Sequence, residues 1–157
     1  MQFGGDGGWT AINQQADFIS YVSYQFLNVQ TWDGIEYSSL FIPVIQPVAF
    51  IAPYLLSPSQ GNVMYAGSAG IAKSVDEGAS WTMTNGGDAL DGNPVLSMAI
   101  SAYDNNVVYA ATAPYGGNPS GVFITQDGGT TWSDVTGILP DRFPMDICTD
   151  PTNDAVA

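Results

Sequence analysis

The segment "SVDEGASWTM" at residues 74–83 returns as "TQDGGTTWSD" at 125–134, and each copy follows a second repeated segment, "GNVMYAG" at 61–67 and "NNVVYAA" at 105–111. Tyr65 and Tyr109 lie 44 residues apart, and Trp81 and Trp132 lie 51 apart. Self-similarity at a period of roughly 40–50 residues constrains the fold more than anything else in the chain, because a unit of that size cannot bury its apolar face alone and must stack on a neighbour. The two spacings differ because "SAGIA" in the first copy becomes "TAPYGGNPSGVFI" in the second, an insertion that a loop absorbs.

Weaker copies flank the two clear ones. Residues 16–39 carry a similar strand pair followed by Thr31, Asp33, Gly34 and Tyr37 as a shortened version of the turn, and "MDICTDPTNDAVA" at 145–157 matches "SMAISAYDNNVVY" at 97–109. This divides the chain into units at 1–48, 49–94, 95–140 and a partial one at 141–157. Segments such as "VLSMAIS" and "NVVYAAT" are apolar and β-branched and are punctuated by Gly, Asn, Asp and Pro, which predicts strands. Expected strands are 50–56, 63–68, 70–75 and 80–84 in the second unit, and 95–101, 107–112, 121–126 and 131–135 in the third. Four short strands per repeated unit describe blades of a β-propeller. An immunoglobulin-type sandwich also has evenly spaced short strands but no internal repetition of this kind. The expected fold is therefore all-β and propeller-type, with about three and a half four-stranded antiparallel blades in an incomplete ring.

The spacing Ser/Thr-x-Asp-x-Gly-x-x-Trp sets Ser74, Asp76, Gly78 and Trp81 in one copy and Thr125, Asp127, Gly129 and Trp132 in the other. These residues read as structural. A short carboxylate accepts hydrogen bonds from the N–H groups of its own turn, a glycine takes the positive φ needed where the chain reverses, the hydroxyl bonds across the turn, and the tryptophan covers the hairpin. A calcium loop fits less well, because "DEGASW" and "DGGTTW" lack the further carboxylates at alternate positions that such a loop uses.

The spacing resembles the Asp-box, or BNR repeat, of sialidases, sortilin-type receptors, xyloglucanases and related secreted bacterial propellers. "GGDGGWTAI" at 4–12 is similar to the segment that opens a blade in those secreted proteins, and "ILPDRFPMDICTDPTN" at 138–153 to their blade-to-blade crossing. The resemblance implies boxes on the propeller rim between two outer strands, away from the active centre. It also implies a larger parent propeller whose remaining blades are partners of this chain, located outside a bacterial cell or on its surface.

Composition removes several function classes. The 15 Asp and Glu residues face only Lys73 and Arg142, for a formal net charge of −13. Phosphate-rich nucleic acid and anionic membrane surfaces are repelled by such a chain. Sialidases, by the same resemblance, hold the substrate carboxylate with a cluster of arginines, and Arg142 alone does not make one. With no His and with Cys148 as the only cysteine, neither a Ser-His-Asp triad nor an intrachain disulfide is available. Cys148, in "PMDICTD", is expected to be a buried small apolar side chain. The longest apolar run, "LFIPVIQPVAFIAPYLL", is broken by Pro43, Pro47 and Pro53, so no membrane insertion is expected. The opening decapeptide does not read as a secretory signal.

Two functions of different classes fit. One is a non-catalytic binding or scaffold segment of a secreted Asp-box propeller, with a polysaccharide or protein ligand and no cofactor. The other is a fragment of a xyloglucanase-like glycoside hydrolase; an assembly factor like the photosystem II stability proteins is a third, smaller one. A glycosidase needs two carboxylates across one cleft, about 5–9.5 Å apart. Asp6 is the candidate for one of them, because its flanking glycines let a sugar approach, and Trp9 offers a stacking face. The alternative is a Gly-rich turn entering an inner strand, with Trp9 packed between blades. Asp88, Asp91 and Asn93, in "TNGGDALDGNP", form a calcium site if they converge and a solvated connection if they do not.

Overall fold

A computed structural model describes residues 6–153 and 156–157; Gly4 and Gly5 of the opening Gly-rich segment, and Asp154 and Ala155, lie outside the described residues. The chain forms three antiparallel sheets, each a meander whose four strands lie in chain order. The first holds β1 (Gly7–Ile12), β2 (Ser20–Tyr24), β3 (Asn28–Trp32) and β4 (Tyr37–Ser39). The second holds β5 (Tyr54–Leu56), β6 (Met64–Gly67), β7 (Ile71–Ser74) and β8 (Thr82–Met83). The third holds β9 (Val95–Ile100), β10 (Val108–Thr112), β11 (Val122–Thr125) and β12 (Ser133–Asp134). No α-helix occurs among the described residues. The fold is all-β, a partial β-propeller whose first strands β1, β5 and β9 lie next to one another.

Every strand expected in the second and third units is present, trimmed at its ends. β5 begins at Tyr54 rather than at residue 50, because Pro53 has no N–H to give a ladder and serves only as an acceptor, from the Gly67 N–H at 2.9 Å. The insertion in the third unit falls between β10 and β11, where Gly116 (φ 62) and Gly117 (φ 94) close a two-residue turn bounded by the Tyr115–Asn118 bridge.

Period-2 alternation gives each sheet two faces, and the blades stack through them. Tyr21, Leu27 and Val29 of the first blade pack against Tyr54, Met64 and Ala66 of the second. Tyr65 and Ile71 of the second pack with Met98, Val108 and Ala110 of the third. Tyr21, Tyr65 and Tyr109 recur every 44 residues, each in the second strand of its sheet. Tyr21 Oη donates to the Glu77 carbonyl at 3.1 Å and Tyr65 Oη to the Asn105 carbonyl at 2.9 Å, so a buried phenol crosses each blade boundary and finds a backbone acceptor there. Burial pushes the Tyr21 phenol up to about 12.

Residues 141–157, expected as a fourth partial unit, follow β12. Among its described residues no strand of two or more residues is found; Asp150 and Asn153 form an isolated bridge, and the Asp150 N–H also donates to the Val156 carbonyl at 2.9 Å. The segment instead lies along β9, held by side chains: Ser97 Oγ donates to the Pro144 carbonyl at 3.1 Å and Thr149 Oγ1 to the Ile100 carbonyl at 3.4 Å. A first strand is defined by its ladder to a second, and the described residues of this segment hold no such ladder. Cys148, expected inside, is consequently exposed.

Candidate functional site

The repeated turns sit between the third and fourth strands of their blades, at β7–β8 and β11–β12. In the second blade Ser74 Oγ donates to Asp76 Oδ1 at 2.8 Å and accepts from the buried Gly78 N–H at 2.9 Å. Asp76 in turn accepts from the Ser80 N–H at 2.8 Å and the Ser80 hydroxyl at 2.5 Å. Thr125, Asp127, Gly129 and Thr131 reproduce these bonds in the third blade at 2.7–2.9 Å. Gly78 (φ 89) and Gly129 (φ 92) occupy the left-handed region, as do their predecessors Glu77 (φ 61) and Gly128 (φ 70). Both aspartates are exposed with all these donors aimed at them, which holds their carboxyls below the usual range, Asp127 to about 2. Such groups stay ionised and are poor proton donors. In the shortened turn of the first blade Asp33 Oδ1 accepts from the Ile35 and Glu36 N–H groups at 2.8 and 2.9 Å, and Gly34 (φ 94) takes the left-handed conformation.

A different region has the shape of a ligand site. Where the first strands converge, a groove of about 670 Å³ is lined by Gly7–Thr10 of β1, by Ala49–Ile51 in the crossing that leads to β5, by Leu96 of β9, and by Phe143 and Met145. Trp9 is fixed in it through its backbone: its N–H donates to Ser23 Oγ at 2.8 Å, and its carbonyl accepts from Ser23 Oγ at 3.3 Å and from Tyr54 Oη at 3.2 Å. Gly8 is required here, because a Cβ would stand 2.6 Å from Ser23 Oγ. The Trp9 side chain is shared between the groove and the cluster that joins the first two blades. Asp6 is exposed just ahead of β1. None of the described residues lining the groove is a carboxylate. Sequence reading found Trp9 but missed Phe50, Phe143 and Met145, since only blade stacking brings these distant positions together and nothing local marks them.

Of the three acidic-loop candidates, Asp91 and Asn93 are joined by hydrogen bonds. Asp91 Oδ1 accepts from the Asn93 N–H at 2.9 Å, and Oδ2 accepts from Asn93 Nδ2 at 3.1 Å and from Thr112 Oγ1 at 2.7 Å. Asn93 is fully buried and its Nδ2 also donates to the Pro119 carbonyl at 2.7 Å, which ties loop 84–94 to loop 113–121. Asp88 is exposed and makes none of these bonds. Among the described residues no group of three or more His, Cys, Asp or Glu side chains is placed to hold a metal ion.

Comparison with solved structures identifies propellers. The chain is similar to an ancestral GH74 enzyme, with a TM-score of 0.65 and 18% identity over 94% of this chain and 19% of that one. It is similar to the GH74 enzyme of Niastella koreensis, with a TM-score of 0.64 and 19% identity over 93% of this chain and 27% of that one. It is also similar to YCF48 bound to D1 peptide, with a TM-score of 0.53 and 13% identity over 83% of this chain and 39% of that one. The chain thus spans well under half of the solved chains it matches. No protein-family model matches the chain, and no curated protein sequence does.

Proposed function

We propose that the chain is a non-catalytic binding or scaffold segment of a larger Asp-box propeller, with units at 1–48, 49–94, 95–140 and 141–157, and that its parent works outside a bacterial cell. The box assignment is supported by the matched hydrogen bonds of the two turns. The observation that carries the binding role is the groove at the convergence of the first strands: a concave surface built on three blades, carrying Trp9, Phe50 and Phe143 and, among its described residues, no ionisable group. Asp76 and Asp127 are structural in this proposal, and Trp9 is the ligand-facing residue.

A second function, part of a xyloglucanase-like glycoside hydrolase, is supported by the similarity to the GH74 enzymes and places Asp6 as its catalytic carboxylate. The two are separated by incubating the chain with a panel of β-glucans and measuring released reducing ends. The binding proposal expects no hydrolysis. Hydrolysis that disappears in Asp6→Ala, with the fold intact by circular dichroism, overturns it.

A further inference from the structure

We infer that the groove takes an extended polypeptide segment that carries apolar side chains between basic ones. This rests on the binding role proposed above and narrows it to one ligand class.

Around Trp9 the groove presents Phe50, Phe143 and Met145, which are 51%, 62% and 77% exposed. Apolar surface left in water costs about 25 cal/mol per Å², and its concentration in one concavity marks a place that a ligand covers. Among the described residues of the lining, only Thr10 and the indole N–H of Trp9 bring a polar side-chain group. A sugar ring presents a hydroxyl on nearly every carbon, more than the few polar side chains of this lining can partner. A peptide brings apolar side chains, and its own polar groups are backbone ones that a strand edge satisfies. β1 supplies such an edge: among the described residues it pairs only with β2, and a Cβ built at Gly7 meets nothing within 4 Å, so a second backbone can approach there.

Charge selects among peptides. Of the two basic residues, Lys73 is half-buried over the Tyr65 ring and donates to the Gly128 carbonyl at 3.2 Å. Arg142 precedes Phe143, against exposed Asp6, Asp141 and Asp146 in the segments that flank the groove. With a net charge of −13 the surroundings favour a cationic segment and disfavour an acidic one.

The test titrates the 157-residue chain into short fluorescein-labelled peptides of alternating Lys and Leu, Lys and Ser, or Glu and Leu, followed by anisotropy, and into a xyloglucan oligosaccharide, followed by calorimetry. The Lys–Leu peptide is expected to bind at least about tenfold more tightly than either other peptide. Phe143→Ser combined with Met145→Ser should remove at least about tenfold of that affinity. Both side chains are exposed, so the fold should survive. Val75→Ser, on a repeated turn, should leave binding unchanged. Equal binding of Lys–Leu and Lys–Ser, or indifference to the groove substitutions, overturns the inference, as does a self-association of the chain that those substitutions abolish. Oligosaccharide binding lost on groove substitution, without peptide binding, overturns it while leaving the binding role intact. Failure of every ligand to bind the folded chain overturns both.

Discussion

The two repeated turns have the same residues at the same spacing but spend their tryptophans differently. Trp81 Nε1 donates back to its own turn, to the Gly78 carbonyl at 2.9 Å. Trp132 Nε1 donates across the blade boundary to Thr84 Oγ1 at 3.1 Å. The cause is the residue that follows the last strand of the preceding blade. That residue is Leu40 after β4 and Thr84 after β8, and each lies against the turn glycine of the next blade. Leucine has nothing to accept with, so the indole N–H turns inward; threonine accepts, so the indole becomes a strap between blades. The Asn85 N–H adds a bond to the Gly129 carbonyl at 2.7 Å at the same boundary. The motif thus builds one hairpin, and its neighbour decides whether that hairpin also fastens two blades.

The sharpest way to break the comparison is at the glycines. Both Gly78→Ala and Gly129→Ala force a Cβ into the left-handed region, at about 1 kcal/mol. The new methyl at 129 also collides with the buried, β-branched Thr84, whose Cγ2 and Cβ both lie too close, the Cβ at 2.7 Å. At 78 it meets the far end of the half-buried Leu40, Cδ1 at 2.8 Å, which can rotate away. We expect Gly129→Ala to cost about 3 kcal/mol in urea denaturation and Gly78→Ala about half of that. Equal losses would mean that the two boundaries are packed alike.

Next come the hydroxyls, which should behave identically. Ser74→Ala and Thr125→Val each leave a buried glycine N–H without its acceptor, for about 1–3 kcal/mol apiece. A large disparity in the measured unfolding free energies would show that the turns differ inside as well as at their borders.

Much of this was legible before the structure. The hydroxyl, carboxylate and glycine act within five residues of one another, so spacing alone predicts that Asp76 accepts from backbone N–H groups of its own turn and that Ser74 bonds across it. Repetition likewise predicts the strands, because period-2 apolar segments between turn residues are local signals. Three things were not legible. The destination of the Trp132 N–H depends on Thr84, 48 residues earlier, and no local pattern distinguishes it from Trp81. The groove depends on Phe143 and Met145 folding back beside β1, which only the stacking of three sheets arranges. Residues 141–157 look like a blade start by sequence, but nothing in that stretch marks that its described residues lie along β9 through side-chain bonds from Ser97 and Thr149. Cys148 was misplaced for the same reason.

The indoles themselves provide a smaller, more selective test. Trp132→Phe and Trp81→Phe each delete one N–H donor and should cost about 1 kcal/mol. Only the first should couple to Thr84→Val: a double-mutant cycle is expected to give an interaction of about 0.5–1 kcal/mol for the Trp132 pair and additivity for the Trp81 pair. Coupling of Trp81 to Thr84 would contradict the assignment of separate roles.

The smallest expected effect is electrostatic and again separates the turns. The Asp127 carboxyl is lowered to about 2 chiefly by the Thr131 N–H, whereas the Asp76 carboxyl is lowered chiefly by the Ser80 hydroxyl. A carboxyl whose folded pKa lies below its unfolded value, about 3.9 for Asp, adds stability above that value and loses it as pH falls through the folded one. For Asp127 the window runs from about pH 4 down to about 2. Over it the unfolding free energy should fall with decreasing pH, less steeply in Asp127→Asn; solvent screening keeps the effect modest because the group is exposed. Side-chain deletion then tells the turns apart. Ser80→Ala removes the leading donor to Asp76 and should raise its pKa clearly, while Thr131→Val leaves the leading backbone donor to Asp127 in place and should raise that pKa less. Carboxyl carbon shifts followed by NMR titration read both values directly. An equal rise in the two variants would show that the aspartates are held by the same balance of donors, and that the difference between the turns lies in their tryptophans alone.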